Sequence, residues 1–173
     1  MAEIRTIHRN LKPRACLVCI LLLALFSPAC GVGNQAPDFQ IDTFSGEDFR
    51  VSDLTGKESL VVNFWYPSCP PCRHEMPHFE TVWQGIKGQD IRFLGVFVPR
   101  GFDTENEAKD FVNELGLTFD FGTDRGSKVA RAYNVEYFPH TFFINRDMEI
   151  VHEEISNLDV LSLTHLIERY LID

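Results

Sequence analysis

A run of six residues, Leu60-Val61-Val62-Asn63-Phe64-Trp65, ends three residues before Cys69-Pro70-Pro71-Cys72, which leaves room only for a tight turn. The β-branched and aromatic content of the run reads as a central buried strand. Tyr66-Pro67-Ser68 is a loop, and a helix begins around Cys69–Pro71. On that helix Met76, Phe79, Val82, Trp83 and Ile86 recur at helical spacing, and Pro77 inside the pattern predicts a kink. A buried strand that turns straight into an amphipathic helix belongs to an α/β sheet with helices laid over it.

The rest of the chain fits that frame. From Asp38 to Asp53, short alternating segments broken by Ser45-Gly46 read as a β-hairpin. Ile91–Val98 is a second strand. Thr104 to Leu115 is a helix, with Thr104 as N-cap, Glu107 completing a capping box and Gly116 ending it. A short strand near Leu117–Phe121 and a helix near Ser127–Tyr133 follow. Thr141–Asn145 and Glu149–Glu154 form a hairpin turning at Arg146-Asp147, and a last helix spans Leu158–Leu171. No internal repeat or low-complexity segment interrupts the order. It predicts a mixed central sheet with helices on both faces and an N-terminal β-hairpin.

The cysteine pair carries the chemistry. Two intervening residues on a turn into a helix let both sulfurs reach disulfide distance. The first sulfur lies near unpaired helix N–H groups and the positive end of the helix dipole, which favour the attacking thiolate. Pro70 and Pro71 lose no needed hydrogen bond in the first turn and stiffen it. Cys72, one turn in, is expected to be more buried and to resolve a mixed disulfide formed at Cys69. A bridge closing so small a loop removes little entropy from the unfolded chain, so redox chemistry explains the pair better than stabilisation does. Such chemistry moves electrons through sulfur and needs no cofactor or metal.

The N-terminus sets the compartment. Residues 1–14 carry Arg5, Arg9, Lys12 and Arg14 against Glu3, and the 12-residue apolar run Ala15–Phe26 leads to Ser27-Pro28-Ala29-Cys30. Residues 1–29 therefore read as a secretory signal peptide. The run falls short of the roughly 20 residues of a comfortable membrane span, and an uncleaved anchor is the alternative. Cys30 after a small residue resembles a bacterial lipoprotein cleavage site, where acyl chains on Cys30 would tether the domain, although Ser27 and Pro28 depart from the usual pattern. Residues 30–37 are then a tether and 38–173 the domain, facing outward. Losing residues 1–29 removes four basic side chains and one acidic one, so the formal net charge moves from −9 to −12. A surface that acidic excludes nucleic acid as a partner. Cys16 and Cys19 fall in the apolar run, so the mature domain keeps Cys69 and Cys72 as its thiols, and CxxC…CxxC is no zinc site.

Several segments together resemble the TlpA/ResA group of exported, thioredoxin-like reductases. They are Ala36-Pro37-Asp38-Phe39, Ser52-Asp53-Leu54-Thr55-Gly56-Lys57, Val62-Asn63-Phe64-Trp65, Cys69-Pro70-Pro71-Cys72-Arg73, Glu75-Met76-Pro77 and Phe138-Pro139-His140-Thr141-Phe142-Phe143-Ile144. The resemblance runs from about Gly33 to Glu154. It implies a thioredoxin-like fold, a cis Pro139 packed beside the disulfide and Trp65 close to the pair. His140 stands where the group has threonine, and the expectation is that it lies near Cys69 and favours the thiolate. Ser68 stands where the group often has tryptophan, which removes an aromatic lid. Spacing from Phe111 places the acid that assists the buried cysteine at Asp103, with Glu105 as the alternative. The implied partners are protein disulfides, including those of apocytochromes c awaiting haem, and a membrane thiol carrier as electron donor.

Other readings are weaker. His74-Glu75-Met76-Pro77-His78 spells the H-E-x-x-H of zinc proteases, but Pro77 sits inside the motif where two ligands need an undistorted helix. Within thiol chemistry an oxidase or isomerase remains open, and so does a copper-handling module using Cys69, Cys72 and His140. A thiol peroxidase is disfavoured, because its threonine three residues before the cysteine is here Tyr66.

Overall fold

The computed structural model describes residues 34–172, so the signal-like segment and Cys16, Cys19 and Cys30 lie outside the described residues. Strands β1 (Gln40–Asp42) and β2 (Asp48–Arg50) form the expected antiparallel hairpin. It stops at Arg50 rather than Asp53. Val51–Leu54 is a 3-10 turn that buries Val51 and Leu54, three residues apart, where a strand would have buried alternate ones.

The main sheet has five strands in the order β5-β4-β3-β6-β7. Strand β3 (Ser59–Trp65) is its centre, parallel to β4 (Ile91–Phe97) and antiparallel to β6 (His140–Ile144). Strand β5 (Asp120–Thr123) extends the parallel half, and β7 (Ile150–Glu154) closes the antiparallel half. All seven residues of β3 are buried because both sheet faces are covered. Residues 34–36, expected as tether, instead pair with the start of β7. Ile150 N donates to Asn34 O at 2.7 Å and Ala36 N to Met148 O at 2.8 Å, which satisfies part of an otherwise open edge.

Helices α1 (Pro70–Ile86), α2 (Glu105–Glu114) and α4 (Val160–Tyr170) cover one face, and α3 (Lys128–Ala132) covers the other together with the β1–β2 hairpin. Helix α1 runs continuously through Pro77, burying Met76, Phe79 and Val82. Helix α2 starts in the expected capping box: Glu107 N donates to Thr104 Oγ1 at 3.2 Å, and Thr104 N to Glu107 Oε2 at 2.8 Å. The alternation of β3 sorts the core. Val61 and Trp65 face α1, α2 and α4, whereas Leu60, Val62 and Phe64 face α3 and the hairpin.

Gly95 on β4 leaves the space that the Phe121 ring and the edge of the Trp65 indole occupy on that first face. A Cβ there would meet the Phe121 ring at 2.4 Å and Trp65 Nε1 at 3.2 Å. Gly95→Val should therefore cost about 3 kcal/mol of folding stability, read as a lowered urea midpoint at unchanged slope.

Candidate active site

The two sulfurs sit where β3 hands over to α1. Cys69 is the N-cap of α1 and is bonded to Cys72, with the Cα atoms 5.3 Å apart. Pro70 and Pro71 fill the first two helical positions and have no N–H to offer. The first amide of the helix that can turn back is that of Cys72, which donates to Cys69 Sγ at 3.2 Å, while Arg73 N donates to Cys69 O at 3.0 Å. Cys69 is 2% exposed and Cys72 0%, within the same core cluster as Trp65, Phe97 and Phe111. Trp65 itself packs against Phe97, Phe111 and Phe121.

One turn beyond Cys72, on the same helix face, lies a fully buried acid, Glu75. Its Oε1 accepts from Asn63 Nδ2 at 2.8 Å and its Oε2 from Leu158 N at 3.1 Å. Asn63 Nδ2 also donates to Thr141 Oγ1 at 3.0 Å, so the network joins β3, α1, β6 and the approach to α4. Burial pushes the Glu75 carboxyl up to about 8, and its two hydrogen bonds offset only part of that. It is a neutral acid at pH 7, able to take or give a proton near neutrality. Sequence reasoning did not single out Glu75 as a site residue, although two signals were present. Asn63 interrupts an apolar strand, and Glu75 falls on the apolar side of α1 beside Met76 and Phe79.

The walls of the site come from two loops. The Phe138–Pro139 peptide is cis and Pro139 is buried. Phe138 meets Tyr66 edge-on at 5.2 Å, bringing that turn against the loop that leads into Cys69. Asp103 lies by the same loop. Its carboxylate accepts from Ser68 N at 3.1 Å and Ser68 Oγ at 2.7 Å, one residue before Cys69 rather than at the buried Cys72.

Two expectations need correcting. His140 does not lie near Cys69. It alternates with Thr141 along β6, so its ring points to the opposite face, stacks on Phe142 at 4.2 Å and puts Nε2 3.3 Å from Glu153 Oε2. Burial holds it below the usual histidine range, against the pull of Glu153, so it is not a standing positive charge. A cleft of about 540 Å³ is on that same far face beside Tyr133, His140 and Phe142, and does not open onto the sulfurs. Glu105 is tied to Lys109 at 2.7 Å, Arg125 at 2.9 Å and Thr123 at 3.0 Å, with Lys109 holding its carboxyl below the usual range, so it does not serve as the alternative acid. The H-E-x-x-H arrangement is turned inside out: Glu75 is buried, while His74 is exposed and bonded to Asn157 and the half-buried His78 is bonded to Leu158 O.

With this geometry in view, the comparisons are decisive for family. The AhpC/TSA family model matches residues 32–153. The chain belongs to the AhpC/TSA family. Among its relatives, the thiol-disulfide oxidoreductase ResA of Geobacillus kaustophilus is 36% identical over 122 residues, 70% of this chain and 68% of the relative. ResA of Bacillus thuringiensis is 31% identical over 124 residues, covering 72% and 69%. Among solved structures, StoA from Bacillus subtilis superposes with a TM-score of 0.68 at 22% identity, over 76% of this chain and 97% of that one. This AhpC/TSA chain has a thioredoxin-like fold and is a thiol–disulfide oxidoreductase.

Glu75 leaves a pH signature on stability. Its carboxyl titrates near 4.5 when unfolded and about 8 when folded, so the folded protein binds the extra proton between those values. The stabilising contribution is complete below pH 4.5 and is lost as pH rises through 8, up to about 5 kcal/mol in all. Denaturant titration of the oxidised protein from pH 4.5 to 8.5 should show this decline, and Glu75→Gln should flatten it.

Proposed function

We propose that the protein works on the outer face of a bacterial membrane as a reductase of protein disulfides, with Cys69 as the attacking thiol and Cys72 as the resolving one. The observation that carries this is a bridged pair at the head of α1, with its first sulfur at the N-cap and a buried acid one turn beyond its second. The Cys69 thiolate attacks one sulfur of a substrate disulfide; a bond forms to Cys69 and the substrate's other sulfur leaves as a thiolate, taking a proton from solvent. Cys72 then attacks Cys69, breaking the mixed disulfide, while Glu75 in its ionised form takes the Cys72 proton. The second substrate thiol leaves, and the enzyme ends oxidised by two electrons. A membrane thiol carrier restores the dithiol by the reverse exchange. Trp65 and Pro139 shape the site, and Pro70 and Pro71 fix the turn.

Haem-attachment cysteines of apocytochromes c fit as substrates: they must be reduced after export, and the chain resembles reductases of that compartment. Attachment through Cys30 fits the signal-like residues 1–29. Among the described residues no helix is long and apolar enough to cross a membrane.

The first measurement is the reduction potential of the Cys69–Cys72 pair, equilibrated with a thiol buffer and followed on Trp65 fluorescence. A value at or below about −230 mV supports the reductase, and one above about −180 mV reverses the electron flow toward an oxidase or isomerase. Cys69→Ser should abolish insulin reduction, whereas Cys72→Ser should accumulate a mixed disulfide with the substrate. Cys30→Ser, expressed in a bacterium, should lose the acyl mass and leave the membrane fraction.

A further inference from the structure

The loop 99–103 touches both walls of the site. At one end Asp103 receives both the N–H and the hydroxyl of Ser68. At the other, the Arg100 guanidinium lies 5.0 Å over the Phe138 ring, next to Pro139. Between them Phe102 is 100% exposed, and a cavity of about 480 Å³ opens between the loop and Tyr66 and Ser68. Neither Asp103 contact reaches Cys72. Both fix the residue whose carbonyl carbon is bonded to Cys69 N.

We propose that Asp103 is the positioning residue of the redox turn: it holds the backbone directly before Cys69 through Ser68 and sets its negative charge against the Cys69 thiolate, which favours the disulfide and makes the dithiol the stronger reductant. This rests on the reading of Cys69 as the attacking thiol. The other charged groups around the turn set the background against which Asp103 acts. From α1, Arg73 is turned to Pro67 O at 3.3 Å and over the Phe111 ring at 4.5 Å. From the loop, the Arg100 guanidinium lies over the Phe138 ring and keeps its positive charge. From α2, Glu107 is bound into the capping box, and Asp110, which lines a second groove with Ser68, Arg73 and Asp103, adds negative charge. Glu75 beneath the pair is neutral at pH 7, and His140 is on the far face. Where Ser68 stands, a bulky side chain would have no hydroxyl to give Asp103, so the clamp and the missing aromatic lid are one feature.

The test reads Cys69 alone in the full, reduced chain carrying Cys72→Ser, by peptide-resolved mass spectrometry of alkylation against pH. Asp103→Asn, which keeps an acceptor for Ser68 and removes the charge, should lower the Cys69 midpoint by about 0.5–1 pH unit. Asp103→Glu should restore it, and Ser68→Ala, which keeps the charge, should leave it within about 0.2 unit. With both cysteines present and at a pH above that midpoint, Asp103→Asn should shift the equilibrium against glutathione about three- to tenfold toward the dithiol. An unchanged midpoint in Asp103→Asn overturns the proposal. Equal shifts in Asp103→Asn and Ser68→Ala overturn it too, since the effect would then come from a loosened turn and not from charge. Retained insulin reduction in Cys69→Ser would instead defeat the assignment of the attacking thiol, independently of these midpoints.

Discussion

Asn63 gives one amide nitrogen to two acceptors, Glu75 at 2.8 Å and Thr141 at 3.0 Å, and those bonds set the register of the site. Asn63 is on the central strand, Glu75 on the redox helix and Thr141 two residues after the cis proline, paired directly across from Asn63. A polar side chain in the middle of β3 would be costly if left alone. Satisfied in this way, it ties the helix that carries the cysteines to the strand that follows Pro139. Asn63 Oδ1 has no partner while Nδ2 has two. Nδ2 can donate to the carboxyl in either form, whereas the neutral Glu75 favoured at pH 7 also has a hydrogen to give, which calls for the amide oxygen. The proton on Glu75 and the orientation of Asn63 are therefore coupled, directly beneath Cys72.

The period of a strand divides the protein into two chemistries. Odd positions of β3, with Val61, Asn63 and Trp65, belong to the face that holds the disulfide. Even positions, with Leu60, Val62 and Phe64, belong to a face closed by the hairpin and α3, where the cleft beside Tyr133 and His140 lies. His140, paired with Phe64, follows the even set. Adjacency in sequence to the cis proline therefore tells nothing about adjacency to sulfur. One residue of register decides which face a β side chain joins.

This explains what was legible in the sequence. The central strand, the Cys69 turn, the Thr104 capping box and the Gly116 stop are written within a few consecutive residues, and the structure has each of them. The β2 strand was read three residues too long because Val51 and Leu54 are apolar in either geometry, and only their threefold spacing marks the turn. The position of His140 depends on how β6 pairs with β3, some 76 residues away in sequence, and no local pattern encodes it. Glu75 was hidden by its neighbours: flanked by histidines it looked like part of a surface motif, and only the packing of α1 turns it inward. Spacing pointed to Asp103 as an acid for the buried cysteine, but the carboxylate meets Ser68 instead, a contact made only when two loops fold together.

The same turn that exposes a helix end to sulfur also withholds most of what that end offers. A helix N-terminus presents up to four unpaired amides, and each one aimed at a thiolate lowers its pKa. Here two of those positions are proline, and the one amide that reaches Cys69 Sγ is that of Cys72. Arg73 and Arg100 aim their guanidinium groups at a carbonyl and at aromatic rings, with no hydrogen bond to either sulfur. A carboxylate is fixed one residue away, and the acid beneath Cys72 is held neutral by burial. Stabilising a thiolate stabilises the dithiol and makes a pair oxidising, so a site that supplies few donors leaves the disulfide as the better-held form. A site with few donors at Cys69 is the arrangement that the proposed reductase calls for.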